Sequence, residues 1–294
     1  MTFDWLLLVE VVLAGLGTGG LYALSGLAFV IIYKTTRVVN LAIGEMMMMS
    51  AYFFFALSAA LALPIWLAIP AALLASGVLG AVVERIAIRP MLGESPTSTF
   101  MVTVGLSSIF IGAVELIWGA DQQRLPDFLP SDPVLIGEAI MAPKVFYGFW
   151  IALALIGAIL AIFRFWRGGV ALRATASDHL AAYAVGINVP RVYSFAWTGA
   201  AVIAGVAGIV VGSIGGLSSS MGVFGLSVLV VVIFGGLDSV LGALVGGLFV
   251  GVVEAVAGSY LGGEYKILST FVLLVAVLML RPYGLFGSHD IERL

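Results

Sequence analysis

Apolar residues do not alternate with polar ones along this chain; they come in long runs separated by short polar turns. Nine runs stand out, near residues 6–33, 41–62, 65–83, 98–119, 146–165, 192–214, 223–236, 239–260 and 266–281. A helix of roughly 20 apolar residues matches the hydrocarbon thickness of a bilayer, and a helix satisfies its own backbone polar groups there. The pattern predicts an all-α, polytopic membrane bundle of about 8–9 spans. The seventh run is too short to cross alone as a straight helix, and Gly235-Gly236 ends it. The first is long and Gly-rich, which leaves room for a bend.

Composition strengthens this assignment. The chain has 294 residues, 62% apolar and 10% charged, with a mean hydropathy of +1.18. A soluble domain carries far more charge. With no cysteine, disulfides and Cys-ligated metals are excluded. His179 and His289 lie in polar segments that do not resemble a metal site. The N-terminus, MTFDWLLLVEVVL, has Asp4 and Glu10 but no Lys or Arg before its apolar run. It therefore does not read as a secretory signal, and it is expected to remain in the mature protein. A single transmembrane domain, 1–294, is expected.

The basic residues give an orientation. Alternate loops hold Lys34 and Arg37; Arg85 and Arg89; Arg164, Arg167, Arg173 and Arg191; and Arg281 and Arg293. The opposite side holds Arg124, Lys144 and Lys266. Ten against three places the first set in the cytoplasm, the N-terminus outside and the C-terminus inside. The external loop from about 120 to 144 carries Asp121, Asp127, Asp132 and Glu138 among four prolines, Pro126, Pro130, Pro133 and Pro143. It reads either as a solvated connector or as a lip touching an extracytoplasmic partner.

Inside the membrane, Gly15/Gly19, Gly208/Gly212, Gly242/Gly246 and Gly247/Gly251 are small-x-x-x-small pairs that allow close helix packing; the alternative is a pathway whose helices slide. In residues 33–52 a basic turn leads to Asn40, then Gly44-Glu45 and four methionines. Glu45 fits a helix N-terminus, where the dipole favours negative charge, and Asn40 could cap that helix; alternatively, both line a cavity or gate. Met46 to Met49 point all round a helix, as packing or lipid-facing residues. Ionisable groups within spans are costly and usually face the bundle interior or water. Glu10 and Glu115 lie near outer ends, so an interfacial position accounts for them more simply. Glu254 lies deeper. Asn40, Gly44, Glu45 and Glu254 are the candidate pathway residues. No cation lies deep in a span, so a carboxylate–cation relay of the kind expected of ion-coupled carriers is not evident.

Residues 164–191 interrupt this apolar chain with four of its thirteen Lys and Arg residues. Ser177 is placed to cap a short helix that starts at Asp178. Gly186 suits its stop, with Pro190 soon after. Leu172, Ala176, Leu180 and Tyr183 recur at helical spacing and are expected to share a face. The segment reads either as a helix lying on the lipid surface or as a docking helix inserted into a cytoplasmic partner. Arg173, Asp178, Ala181, Ala182, Gly186 and Ile187 are its candidate contacts.

Five motifs, in order, resemble one transporter family. They are Gly19-Gly20-Leu21-Tyr22-Ala23-Leu24; Val39-Asn40-Leu41-Ala42-x-Gly44-Glu45; Arg173-Ala174 through Ala181-Ala182-x-x-x-Gly186-Ile187; Phe234-Gly235-Gly236-Leu237-Asp238-Ser239 with Gly242-Ala243; and Arg281-Pro282-x-Gly284-Leu285-Phe286-Gly287. The chain is similar over nearly its whole length to permease subunits of the branched-chain amino acid class of ABC importers. Two positions depart: family members often carry His or Gln at Ile43, and Gly at Asp238. The resemblance implies a multi-pass subunit of the bacterial inner membrane that is not itself an enzyme. Its partners would be a second homologous permease, two cytoplasmic ATP-binding subunits and an extracytoplasmic substrate-binding protein. It implies no cofactor on this chain, with ATP and Mg on the ATPases. The chain has no G-x-x-x-x-G-K-[ST] loop, which agrees. The segment at about 166–191 resembles a coupling helix. Cargo by alternating access would be amino acids or related small polar and carboxylic compounds; urea, amides and aromatic acids stay open. A self-contained channel or ion-coupled carrier is the rival reading.

Overall fold

The computed structural model describes residues 5–287. Asp4, His289 and Arg293 lie outside the described residues, as do the side chains of Arg167 and Leu180. The helices are α1 (Trp5–Thr36), α2 (Ile43–Phe55), α3 (Ile65–Val83), α4 (Pro96–Trp118), α5 (Pro143–Phe165), α6 (Arg167–Ser177), α7 (His179–Ala184), α8 (Val189–Gly215), α9 (Gly222–Gly235), α10 (Val240–Tyr260) and α11 (Tyr265–Leu280). A small antiparallel hairpin pairs β1 (Val134–Ile136) with β2 (Ala139–Met141) around Gly137. The protein is a polytopic helical bundle. Each of the nine apolar runs is a helix, and seven of these are long and apolar enough to cross a membrane, α2 being so with the π turn Ala56–Ala60 that continues it. α1 is one unbroken helix of 32 residues. α9 has 14 residues, about 21 Å at helical rise, and ends where Gly236 adopts a φ of +109°.

Local chemistry sets the helix ends. Ser95, Asn188 and Ser239 cap α4, α8 and α10 by accepting from the backbone N–H of Ser98, Arg191 and Gly242. Each satisfies a donor that has no partner inside the helix. Pro96 and Pro190 occupy first-turn positions, where the missing N–H costs nothing.

Two compact units are distinguished. The first comprises Met1–Val30, Leu129–Leu153 and Ser227–Leu294. Here the sequence's glycine pairs meet each other: Gly15 faces Gly251 and Val252, and Gly19 faces Gly247 and Leu248, so α1 and α10 touch backbone to backbone. A Cβ at Gly19 would lie 2.9 Å from the Gly247 carbonyl oxygen. Gly242 and Gly246 bring α10 against α9 in the same way. The Leu285 and Phe286 amides bond to the Phe234 and Gly235 carbonyls at 2.9 Å each, tying the C-terminal turn to the end of α9. Glu10 accepts from the Ile140 amide at 2.9 Å, which holds β2 against the start of α1.

The second unit comprises Ile31–Phe128 and Ala154–Leu226. Its centre is α2, buried at every position from Ile43 to Tyr52. A helix apolar all round is an interior helix, and Met46 to Met49 are all packing residues. Gly208 of α8 lies against the Met47 backbone, and Gly80 of α3 against Trp197 and Ala201. Residues 120–128 are anchored: Gln123 and Leu217 exchange two backbone hydrogen bonds of 2.9 and 2.8 Å, and the Phe128 ring meets Phe54 edge-on. Asp121 remains exposed, as do Asp132 and Glu138, which belong to the first unit.

Candidate functional site

The structure brings Asn40, Gly44 and Glu45 together at the start of α2. Asn40 is buried, and its Oδ1 accepts from the Ala42 amide at 3.0 Å while its amide nitrogen reaches Met46 Sδ at 3.5 Å. Asn40 thus closes the turn before α2 and is not its N-cap; that position is Ala42, which makes no side-chain cap. The reason is distance along the chain, because Asn40 precedes the cap by two residues. Thr103 of α4 binds on both sides of Asn40, donating to the Val39 carbonyl (3.2 Å) and accepting from the Leu41 amide (3.3 Å).

Glu45 lies in the first turn of α2 with 7% of its surface exposed. Ser107 of α4 donates to its Oε1 at 2.7 Å. Its Oε2 is buried without a hydrogen-bond partner among the described residues. Burying an acceptor unpaired is costly, and Tyr52, Thr175 and Trp197 each carry a buried polar atom in the same condition. The carboxylate rests on Gly222, where a Cβ would come 2.7 Å from Oε1. One residue away, Gly44 meets Gly225 so closely that a Cβ at Gly44 would lie 2.7 Å from the Gly225 Cα. Two glycines thus let α9 begin directly against the start of α2.

Glu254 belongs to the other unit and has its own neighbours. Tyr22 donates to its Oε2 at 2.5 Å, and Ser227 to its Oε1 at 3.4 Å. The carboxylate is buried and satisfied by hydroxyl groups, in contrast to Glu45.

The basic segment is two helices, not one. Asp178 adopts an extended conformation between α6 and α7, and its Oδ1 accepts from the Ala181 amide at 2.9 Å. Asp178 is therefore the cap; Ser177 ends α6, with its hydroxyl bonded to the Arg173 carbonyl. The break also separates the expected face: Leu172 is buried, whereas Tyr183 is 71% exposed. Gly186 stops α7 with a φ of +87°. Its N–H bonds to the Tyr183 carbonyl and that of Ile187 to the Ala182 carbonyl, both at 3.0 Å, the pairing of a Schellman end. Ala182 is buried with Val189 and Tyr193, and Ile187 and Leu92 pack on them. Arg173 donates to the Phe163 carbonyl, folding α6 back on the end of α5. One side of α7 is thereby pinned, while Ala181, Tyr183, Ala184 and Val185 are exposed.

Sequence reasoning missed one buried carboxylate. Glu84 is 1% exposed and held bidentately by Arg89 at 3.0 Å on both oxygens; Ser194 donates to it at 2.8 Å. A π turn over Glu84–Ile88 makes this possible, because residues five apart do not face each other on an α-helix. The pair closes α3 onto the start of α8.

The family model described as branched-chain amino acid transport system, permease component, matches residues 11–280. The chain belongs to this permease family. The permease is 30% identical to the high-affinity branched-chain amino acid transport system permease LivH of Salmonella typhimurium over 312 residues, covering 100% of both chains. It is also 30% identical to BraD of Pseudomonas aeruginosa, over 95% of each chain, and 26% identical to a probable LivH of Methanocaldococcus jannaschii over 91% of this chain and 89% of that one. Among solved structures, PsaBC from Streptococcus pneumoniae in complex with Fab aligns with a TM-score of 0.51 at 14% identity, covering 92% of the permease and 91% of that chain. That likeness concerns the fold.

Proposed function

We propose that this permease is the membrane subunit of an ATP-driven importer that carries branched-chain-type amino acids across a bacterial inner membrane by alternating access. It would pair with a second, homologous permease, two ATP-binding subunits on the face bearing the basic loops, and an extracytoplasmic binding protein. Mg-ATP would be bound and hydrolysed on the partners. The relatives' names support the substrate class.

The observation that carries the power source is the geometry of α7. One side is fixed by Ala182, Ile187 and the Schellman end, while Tyr183 and Val185 are 71% and 76% exposed. An apolar helix end projecting from a pinned base is suited to receive a partner and to pass its movement on. Arg173 and Asp178 act as positioning residues for that base.

Glu45 supports an ammonium-bearing substrate. A buried carboxylate with a spare acceptor oxygen attracts an ammonium group and repels an acid that lacks one. Neutral urea and amides gain less from it. With Asn40 and Gly44 it forms the candidate gate of one unit, and Glu254 is the candidate pathway carboxylate of the other.

The test compares Gly186→Trp with Gly186→Ala in the assembled transporter. Both place a side chain at positive φ with nothing within 4 Å of its Cβ, so both carry the same backbone strain. Only Trp adds bulk to the docking end. Substrate-stimulated ATP hydrolysis and uptake should fall about tenfold further in Gly186→Trp, at equal membrane insertion. Equal uptake in the two variants would remove the docking role.

A further inference from the structure

A cavity of about 330 Å³ opens beside α7, within the second unit and on the face that carries the basic loops. It is lined by the end of α1, the turn after it, the turn that leads into α4, His179 and Tyr193. This volume lies at the lower end of the range for small-molecule sites, too small for a nucleotide with its phosphates and suited to something the size of an amino acid.

The lining is built in three parts. Arg37 and Glu94 both line the cavity and both are exposed; the Arg37 guanidinium rests over the Tyr33 ring, 5.8 Å from its centroid, and no ion pair joins Arg37 to Glu94 among the described residues. Val38, Val39, Met91 and Leu92 supply an apolar wall. The hydroxyl of Tyr193 lies 3.2 Å from Nδ1 of His179, which leaves the other ring nitrogen free of that bond. Arg37 itself sits in the left-handed region at a φ of +56°. That conformation ends α1: the Arg37 N–H bonds to the Tyr33 carbonyl at 2.8 Å, the left-handed stop common after a helix, and it fixes where the Arg37 side chain leaves the backbone.

We propose that this cavity binds a free aliphatic α-amino acid on the cytoplasmic side, and that its occupancy slows transport. The proposal rests on the reading of the chain as an amino acid permease. Arg37 takes the carboxylate, Glu94 the ammonium group, and the wall of Val38, Val39, Met91 and Leu92 the side chain. Each of the three groups of one molecule thus has a partner of matching chemistry. The mechanism follows from position: His179 opens α7, and Leu92 packs on the cluster that pins it. A ligand that bridges these elements stabilises the arrangement in which they are together, and so opposes any movement of α7 that separates them. Product accumulating inside would then restrain its own import.

The experiment uses the complete transporter in proteoliposomes with ATP in the lumen and leucine preloaded there. Uptake of labelled leucine should fall about fivefold or more as luminal leucine rises. Arg37→Gln and Glu94→Gln should each abolish that inhibition and leave uptake into leucine-free vesicles unchanged. Luminal isovalerate or isoamylamine, each carrying one of the two charged groups, should not inhibit. Wild-type uptake indifferent to luminal leucine, or variants inhibited as strongly as wild type, would overturn the site. A preparation with no leucine uptake at all would instead defeat the parent reading. In that case thermal protection of the purified permease by leucine, but not by isovalerate, still decides the cavity: protection lost in Arg37→Gln supports it, and its absence in wild type rejects it.

Discussion

The Ser107 hydroxyl donates a 2.7 Å hydrogen bond to Oε1 of Glu45, joining α4 to the first turn of α2. Because Oε2 of the same carboxylate has no hydrogen-bond partner among the described residues, Ser107 is the side-chain partner that Glu45 depends on. Ser107→Ala should cost about 1–3 kcal/mol, read as a lowered thermal midpoint of the purified permease. Glu45→Gln keeps an acceptor for Ser107 and removes the charge. Its fold should hold while amino acid uptake falls, and a variant with normal uptake would make Glu45 a packing residue only.

Glycine contacts make a second, graded test. A Cβ at Gly44 would meet the Gly222 carbonyl oxygen at 2.6 Å and the Gly225 Cα at 2.7 Å, whereas one at Gly105 in α4 meets nothing within 4 Å. Overpacking against backbone costs about 1–3 kcal/mol. Gly44→Ala should therefore lower the thermal midpoint, while Gly105→Ala should leave it unchanged or raise it through better helix propensity. Equal effects would show that α2 and α9 do not meet at these residues.

His179 gives a pH dependence. Burial, and then the nearby Arg37 guanidinium, hold its imidazole below the ordinary value, with Asp178 opposing. The folded state thus binds this proton less readily than the unfolded chain, so stability rises with pH through this window. The contribution is fully present above the unfolded value of about 6.5 and is lost as pH falls through the lower folded value. The thermal midpoint of wild type should hold above about pH 6.5 and drop below it, and His179→Gln should drop less. Parallel curves for the two proteins would refute the assignment.

Much of the fold was legible because lipid imposes a simple rule on backbone polar groups. Each apolar run became a helix, and Gly15/Gly19 and Gly247/Gly251 proved to be two halves of one contact. Gly186 was legible because a positive φ at a helix end favours glycine. The candidate site was legible only in part. Asn40 and Glu45 stood out as polar groups in an apolar run, but Ser107 did not, since a serine in a span can bond its own backbone. Ser177 and Asp178 are both good caps one residue apart, and the break that Asp178 makes resets the helical phase, which put Tyr183 on the wrong face. Glu84 escaped notice because its partner is five residues on, a spacing that only a π turn brings together. The approach of α9 to Gly44 depends on residues 178 and more positions apart, beyond any local pattern.

The central proposal is that this permease moves amino acids only when partner ATPases drive it. The most direct measurement compares purified chain alone with the full assembly of both permeases, ATPases and binding protein, in matched proteoliposomes. Leucine uptake that requires the assembly and luminal ATP is expected, with none above background from the chain alone. ATP-independent uptake by the chain alone would contradict the claim and make the protein a self-contained carrier or channel.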